Sequence, residues 1–356
     1  MHSNQDPVAQ SRLPIWLLKI IRYEFWPMWL FYLPSLPVWL VMMVRSRRLL
    51  YFTAANPGIE LGGFFGESKS GILKQIPEAF LPGSIYISGG ASVEQVSEQL
   101  SLSSLRYPLI GKPDVGERGN GVVKITDDKS LKEFIKRSTG NLIFQEFIDF
   151  PIELGVLYYK FPDGSGSGIT SVTMKEFLSV TGDGKSTVKY LLGKSSRGRM
   201  QLKRLMQQHS GLMSSIPESG KTLLVEPVGN HCRGTLFLNG NHLINSKLVQ
   251  VFDKITENMD AFFYGRFDLK VNSLEDLYLG NNIRIMELNG TTSEPAHIYA
   301  PGTPLWRAYR DVISNMELVR KIALMNIRNG IPTTSIPLFI KTVYYHFTSV
   351  PNQLKN

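Results

Sequence analysis

The sequence predicts an α+β chain, and three patterns predict it. Residues 107–147 change type in short steps: strand at Tyr107–Lys112, strand at Val122–Thr126, helix at Ser130–Arg137, strand at Leu142–Ile148. Strands then follow one another, at Gly155–Phe161, Gly168–Lys175 and Glu176–Val180, with no helix between them. Helical periodicity returns at Leu248–Met259 and again from Thr303 to Gly330. Runs of strands followed by helices point to segregated sheets and helices rather than to a regular strand–helix alternation.

The 356 residues are 43% hydrophobic and 19% charged, enough apolar surface to bury a core, which excludes a disordered chain. Cys232 is the single cysteine, so no internal disulfide and no cysteine-rich zinc site is expected, which suits a reducing cytoplasm. A formal charge of +9 favours anionic partners without choosing among nucleotide, acidic lipid and nucleic acid.

Residues 1–12 are polar, and the apolar stretch behind them lacks a small-residue cleavage site, so no cleavable signal peptide is expected. Phe25–Val44 has no charge and is long enough to cross a bilayer, yet Pro27, Pro34 and Pro37 break a simple spanning helix. Lys19 and Arg22 precede it and Arg45, Arg47 and Arg48 follow it. Aromatic residues mixed with basic ones fit a re-entrant or interfacial segment at a membrane surface, with contact through residues 13–52; a true span and a soluble segment packed on the body both stay open. The expected placement is cytoplasmic, with peripheral attachment to the inner face of the membrane.

Gly58, Gly62, Gly63 and Gly66 make the next loop one where backbone can approach a ligand. Ile85–Ser88 reads as a strand, and Ser92 with Gln95 as a capping box. Arg197–His209 reads as a basic helix whose cations face solvent. Without interleaved aromatics it makes no nucleic-acid site, and none is expected. Thr222–Val228 and Gly234–Leu238 read as strands, and Asn239-Gly240-Asn241 as a hairpin turn. Thr303 and Pro304 open the last long helix and Gly330 stops it; the tail beyond carries Pro332, Pro337 and the aromatics Tyr344, Tyr345 and Phe347.

The chemistry concentrates at 266–294. Arg266–Val271 alternates as a strand, a polar hairpin with Gly280, Asn281 and Asn282 follows, and a second strand runs from Ile283 to Leu288. Residues two apart share a strand face, so Glu287 and Asn289 project together and the hairpin can bring Asp268 beside them. Two carboxylates and an amide oxygen are hard ligands suited to Mg²⁺ against nucleotide phosphates. An ordinary hairpin with its charges in water is the competing reading. A glycine-rich loop, Lys112 to Gly121, lies between two strands, which is wrong for a P-loop. As a flap it could fold over phosphates, with glycine amides and Lys112 as donors.

Four blocks in order resemble the ATP-grasp superfamily, in the layout of the D-alanine–D-alanine ligases. They are Lys112-Pro113, the flap Gly116–Gly121, the strand carrying Glu146 with Glu153 after it, and Gly265-Arg266-Phe267-Asp268 followed by Glu287-Leu288-Asn289. The resemblance covers about residues 106–330. It implies two α+β lobes clamping ATP: a flap-bearing lobe at 106–150 and a metal-bearing lobe at 151–330. Ahead of them would stand a membrane-associating segment at 1–52 and a short N-terminal α/β region at 53–105, with a tail at 331–356 behind.

Residue by residue, the resemblance implies Lys112 on the nucleotide phosphates and Gly116, Glu117, Arg118, Gly119 and Gly121 in the covering flap. It implies Glu146 at the adenine amino group, the Phe147 and Ile148 backbone at the ring, and Glu153 at the ribose. Asp268, Glu287 and Asn289 would hold two Mg²⁺ ions, with Mn²⁺ as a substitute, and Arg266 would stabilise transition-state charge. The family's further lysine upstream of the flap has no match, because 75–111 contain no lysine; Arg106 and Lys74 are the nearest cations.

From the residues alone, Lys175 on its strand could face the nucleotide, and Arg233 could meet an acidic substrate. Thr291, Thr292 and Ser293 could hold substrate or an acyl phosphate, and His297 follows close behind. The expected activity is an ATP-dependent ligase joining a carboxylate to an amine or similar nucleophile and releasing ADP and phosphate, with a lipid-like substrate left open. A small-molecule kinase and a membrane-tethered nucleotide-binding protein are the alternatives.

Overall fold

The computed structural model describes residues 13–64, 69–115, 121–259 and 261–349, with the side chains of 69–70 and 346–349 outside the description. The chain opens with α1 (Ile15–Ile21), α2 (Met28–Tyr32) and α3 (Leu36–Ser46). Pro27 is the N-cap of α2, Pro34 sits in a 3₁₀ turn, and Pro37 lies in the first turn of α3. A residue without an N–H belongs at such helix starts, so the prolines divide the apolar stretch as its sequence suggests.

Next come α4 (Lys69–Leu73), β1 (Ser84–Ile87), α5 (Val93–Leu102), β2 (Leu109–Pro113), β3 (Val123–Ile125), α6 (Asp128–Arg137) and β4 (Leu142–Glu146). The Ser92/Gln95 capping box forms at the start of α5. Then follow β5 (Ile152–Lys160), β6 (Ser167–Glu176), β7 (Ser179–Thr181), α7 (Val188–Gly193), α8 (Ser196–Gln208), α9 (Ser210–Ser214), β8 (Thr222–Leu224) and β9 (Leu236–Asn239). The last are α10 (Ser246–Ile255), β10 (Tyr264–Val271), α11 (Leu274–Leu279), β11 (Ile283–Asn289), α12 (Leu305–Arg328) and α13 (Ile336–Ser349).

The chain forms two compact units. One comprises Met1–Pro37, Lys175–Leu238 and Ile298–Tyr309. Within it β7 pairs with β8, and α7, α8 and α9 enclose Val188, Leu192, Leu205 and Met213. Its buried Glu24 accepts from Arg22 at 3.0 Å and Arg197 at 2.6 Å.

The other unit comprises Val38–Met174, Asn239–His297 and Arg310–Asn356. It holds a four-stranded sheet ordered β1-β4-β2-β3 and most of a five-stranded sheet ordered β11-β10-β5-β6-β9. β1–β4, β2–β4 and β2–β3 in the first and β10–β11 and β10–β5 in the second pair antiparallel. The α+β class is therefore observed. Val96 and Leu100 of α5 and Leu131 and Phe134 of α6 pack on the smaller sheet. Leu248, Val251, Phe252 and Ile255 of α10 pack on the larger one beside Phe267 and Leu269. A third cluster gathers Met42, Leu50, Tyr51 and Phe52 with Tyr264, Val319, Ile322 and Ala323.

Four local expectations are corrected. The polar hairpin after Val271 contains a helix, α11, because Ser273 caps it through the Asp276 N–H and Gly280 ends it at φ +71°. Asn239-Gly240-Asn241 makes no hairpin: the Gly240 N–H bonds to the Val172 carbonyl and the Val172 N–H to Asn241, which ties this segment to β6. The strand expected at Thr222–Val228 stops at Leu224, and that at Glu176–Val180 starts only at Ser179. Beyond these four, the tail forms a helix, α13, whose Phe339 ring stands 6.1 Å from Phe52.

Candidate active site

Strand alternation sends Phe267, Leu269 and Val271 of β10 into the core and leaves Arg266, Asp268 and Lys270 on the other face. β11 poses a harder problem. Ile283, Ile285, Glu287 and Asn289 all lie two apart, so a regular strand would put the isoleucines and the polar groups on the same face. A bulge resolves this: the register moves between Asp268 and Leu269, so that Asp268 faces Glu287 while Leu269 faces Ile285. Ile283, Ile285 and Leu288 then all enter the core. Glu287 and Asn289 turn to the side of Arg266 and Asp268, and Arg266 pairs with Asn289 across the strands.

Four polar groups thus share one face. Arg266 Nε donates to Asp268 Oδ2 at 3.2 Å, and Asn289 Nδ2 donates to the same oxygen at 3.3 Å. Burial alone would depress the Arg266 pKa, but the Asp268, Glu294 and Glu287 carboxylates outweigh it and push the pKa up, so the guanidinium stays charged. Like charges directly opposite on neighbouring strands destabilise a sheet, so Asp268 and Glu287 form a place that a cation relieves. Among the described residues no group of three or more His, Cys, Asp or Glu side chains is placed to hold a metal. The set here is two carboxylates and an amide, all oxygen donors. It fits a hard divalent cation that keeps water or phosphate as its remaining ligands.

The lysine of β2 approaches this face from the smaller sheet. Lys112 is buried, and its Nζ donates to Gln145 Oε1 at 3.0 Å and to the Met286 carbonyl at 3.2 Å. Met286 lies at the bulge. Glu146 ends β4, with its carboxylate accepting from the Gly83 N–H at 3.3 Å. Beyond it, the Phe147 ring lies 3.6 Å from Lys124 Nζ and 5.5 Å from Lys270 Nζ. Lys270 also donates to the Ile148 carbonyl at 2.9 Å and pairs across strands with Glu153. Lys112, Glu146, Phe147, Ile148 and Glu153 therefore fall in one unit with Arg266, Asp268, Glu287 and Asn289.

Lys270, Lys124 and Gln145 were not singled out by the sequence reading. Lys270 could have been, standing two residues from Asp268 on the same strand face; Lys124 carries no such signal. Gly66, Gly116, Glu117, Arg118 and Gly119 lie outside the described residues, while Gly121 adopts φ +74°. Lys175 and Arg233 belong to the other unit, where Lys175 stands 6.0 Å from the Phe237 ring and Arg233 lies 3.6 Å from the buried Glu226. Arg106 turns onto the carbonyls of Ser103 and Leu105, and Lys74 stands over the Tyr86 ring.

Past Asn289 the chain turns against the glycine loop. The Thr291 N–H bonds to the Gly62 carbonyl at 3.1 Å, and the Thr292 N–H to the Gly63 carbonyl at 3.3 Å. Ser293 Oγ donates to the Asn289 carbonyl at 2.7 Å and accepts from the Arg266 N–H at 3.2 Å. Buried Asn56 fixes the loop from behind, donating to the Gly62 and Tyr264 carbonyls and accepting from the Phe263 and Tyr264 N–H groups. A Cβ at Gly290 would meet the Gly62 oxygen and Gly63 Cα, both at 2.7 Å. Because both obstacles are backbone, Gly290→Ala is expected to cost about 1–3 kcal/mol in urea unfolding. An unchanged midpoint would show that the loop yields freely.

His297 is buried behind this turn, with Nδ1 2.8 Å from Ser171 Oγ and Nε2 3.2 Å from Asp311. Burial holds its pKa below the ordinary 6.5, against the upward pull of Asp311. The unfolded chain therefore binds a proton more readily, so this contribution is complete above pH 6.5 and lost as pH falls below it. His297→Asn is expected to flatten the urea-midpoint-versus-pH profile in that window; an unaltered slope would assign the acid sensitivity elsewhere.

No family model and no curated protein matches the sequence. In layout the chain is similar to several solved ligase structures. The VanG D-Ala:D-Ser ligase from Enterococcus faecalis is 12% identical at TM-score 0.38, over 74% of this chain and 61% of that one. The D-alanine–D-alanine ligase from Bacillus anthracis is 14% identical at TM-score 0.38, over 71% and 68%. A bifunctional glutathione synthetase from Pasteurella multocida is 17% identical at TM-score 0.36, over 69% of this chain. The match spans 36% of that synthetase's own length and 61% of the VanG ligase's.

Proposed function

We propose that this chain is an ATP-dependent carboxylate–amine ligase of the ATP-grasp type. The observation that carries the reading is the shared face of β10 and β11. Arg266, Asp268, Glu287 and Asn289 converge there, and Lys112 arrives at the adjoining bulge. Phosphoryl transfer needs charge neutralisation and alignment more than covalent chemistry, and this face offers both.

In this reading Lys112 neutralises charge on the nucleotide phosphates, and the chain at Glu146–Ile148 with Glu153 receives the nucleoside. Asp268, Glu287 and Asn289 would hold Mg²⁺, which supplies charge neutralisation at the transferring phosphoryl group. A substrate carboxylate oxygen attacks the γ-phosphorus and ADP departs, giving an acyl phosphate. An amine then attacks the acyl carbon; the C–O bond to phosphate breaks, the amine gives up a proton, and phosphate leaves. Arg266, held charged among three carboxylates, stabilises the oxyanion, and the Gly290–Ser293 turn positions the acid.

The test is incubation with ATP, Mg²⁺ and paired panels of carboxylic acids and amines, following ADP and inorganic phosphate. Equal release of both supports the ligase. ADP with the phosphate retained on substrate identifies a kinase. Nucleotide binding without ADP formation identifies a binding protein. Undiminished turnover after combined Asp268→Ala and Glu287→Ala would remove the proposed metal site.

A further inference from the structure

Most of the exposed large apolar side chains among the described residues fall in two stretches, 13–49 and 336–345. Parts of both belong to one unit and rest on one cluster. The Trp39 ring of α3 stands 6.3 Å from Phe52, and the Phe339 ring of α13 stands 6.1 Å from it. Thr334 ties the start of the second stretch to Thr53 through a 3.0 Å bond. The inner face of α3 is used up in this packing, since Met42 and Ser46 are buried. Its outer face presents Leu40, Val41 and Val44, the last 77% exposed. α13 turns out Ile340, Tyr344 and Tyr345.

The charges carried by these two helices have one sign. No Asp or Glu occurs between Glu24 and Glu60, and none after Glu317. Arg45, Arg47 and Arg48 at the end of α3 are exposed, as is Lys341 within α13. An apolar and aromatic face whose own charges are cations, with Glu317 acting on Arg45 at its edge, complements a layer with an apolar interior and an anionic surface.

We propose that the outer faces of α3 and α13 form a peripheral docking surface for anionic lipid bilayers. Residues 28–46 are long and apolar enough to span by composition. However, a spanning α3 would have to strip Met42 from the core beside Tyr51 and Phe52. The surface therefore lies in the headgroup layer and does not cross. This inference stands apart from the ligase reading and survives its failure.

The test uses the full chain and sedimentation with vesicles of phosphatidylcholine alone or with a minority of phosphatidylglycerol. Binding is expected to the anionic vesicles and to be released by high salt or alkaline carbonate. Arg45→Gln, Arg48→Gln and Lys341→Gln together should weaken it on the order of 100-fold. Leu40→Ser, Val44→Ser and Ile340→Ser together should also weaken it, with the melting temperature of each variant measured alongside. Equal binding to neutral vesicles, unchanged binding by the charge variant, or release only by detergent would each overturn the proposal. So would a wild-type dimer that ignores vesicles and becomes monomeric in the serine variant, which would assign the surface to a second copy of the chain.

Discussion

Arg266→Gln should lower single-turnover ADP formation by about 10³-fold or more, with little change in the KM for ATP, if the guanidinium acts on transition-state charge. The environment explains the size. Asp268, Glu287 and Glu294 all act on this one cation, and burial strengthens each interaction. Its removal takes away a positive charge on which all three carboxylates act. A proportional rise in KM with kcat unchanged would make Arg266 a ground-state binding residue instead.

Asp268→Asn should cut MgATP-dependent ADP formation on the order of 10²–10³-fold. Two effects oppose each other in the resting protein. The substitution weakens the partner of Arg266, yet it also removes the like-charge pairing with Glu287. The metal-free unfolding free energy should therefore change by no more than about 1 kcal/mol. The ligand-linked stabilisation should respond more strongly. Wild type at a hundredfold excess of MgATP over its Kd gains about 2.7 kcal/mol, and the variant should lose most of that gain. Equal MgATP stabilisation in the two proteins would place the metal elsewhere.

Much of this site was legible because it rests on strand periodicity. Glu287 and Asn289 sit two apart, and Asp268 lies on the partner strand. The bulge was not legible, since nothing in Ile-Arg-Ile-Met-Glu-Leu-Asn marks where an extra residue enters; only the demand that Ile285 and Leu288 reach the same core decides it. α11 was readable in principle from Ser273 and Gly280, but a polar loop between strands masked those caps. The bond from Lys112 to Met286, between residues 174 apart, has no local signature. Nor does the Phe147 ring between two lysines, which depends on three separate strands and loops coming together. The prolines of the first fifty residues did predict where the apolar helix breaks. They gave no hint that Phe52 would become the seat of both α3 and α13.

The cluster around Phe52 also has a consequence in time. Thr53 meets Thr334, a partner 281 residues further along, and Asn56 meets Tyr264, 208 residues further along. At ordinary translation rates the wait for the first of these is roughly 15–55 s. Throughout that interval the nascent chain carries its aromatic opening segment without the contacts that later bury one side of it. The ribosome-bound protein would need shelter for that segment well before its sheets exist.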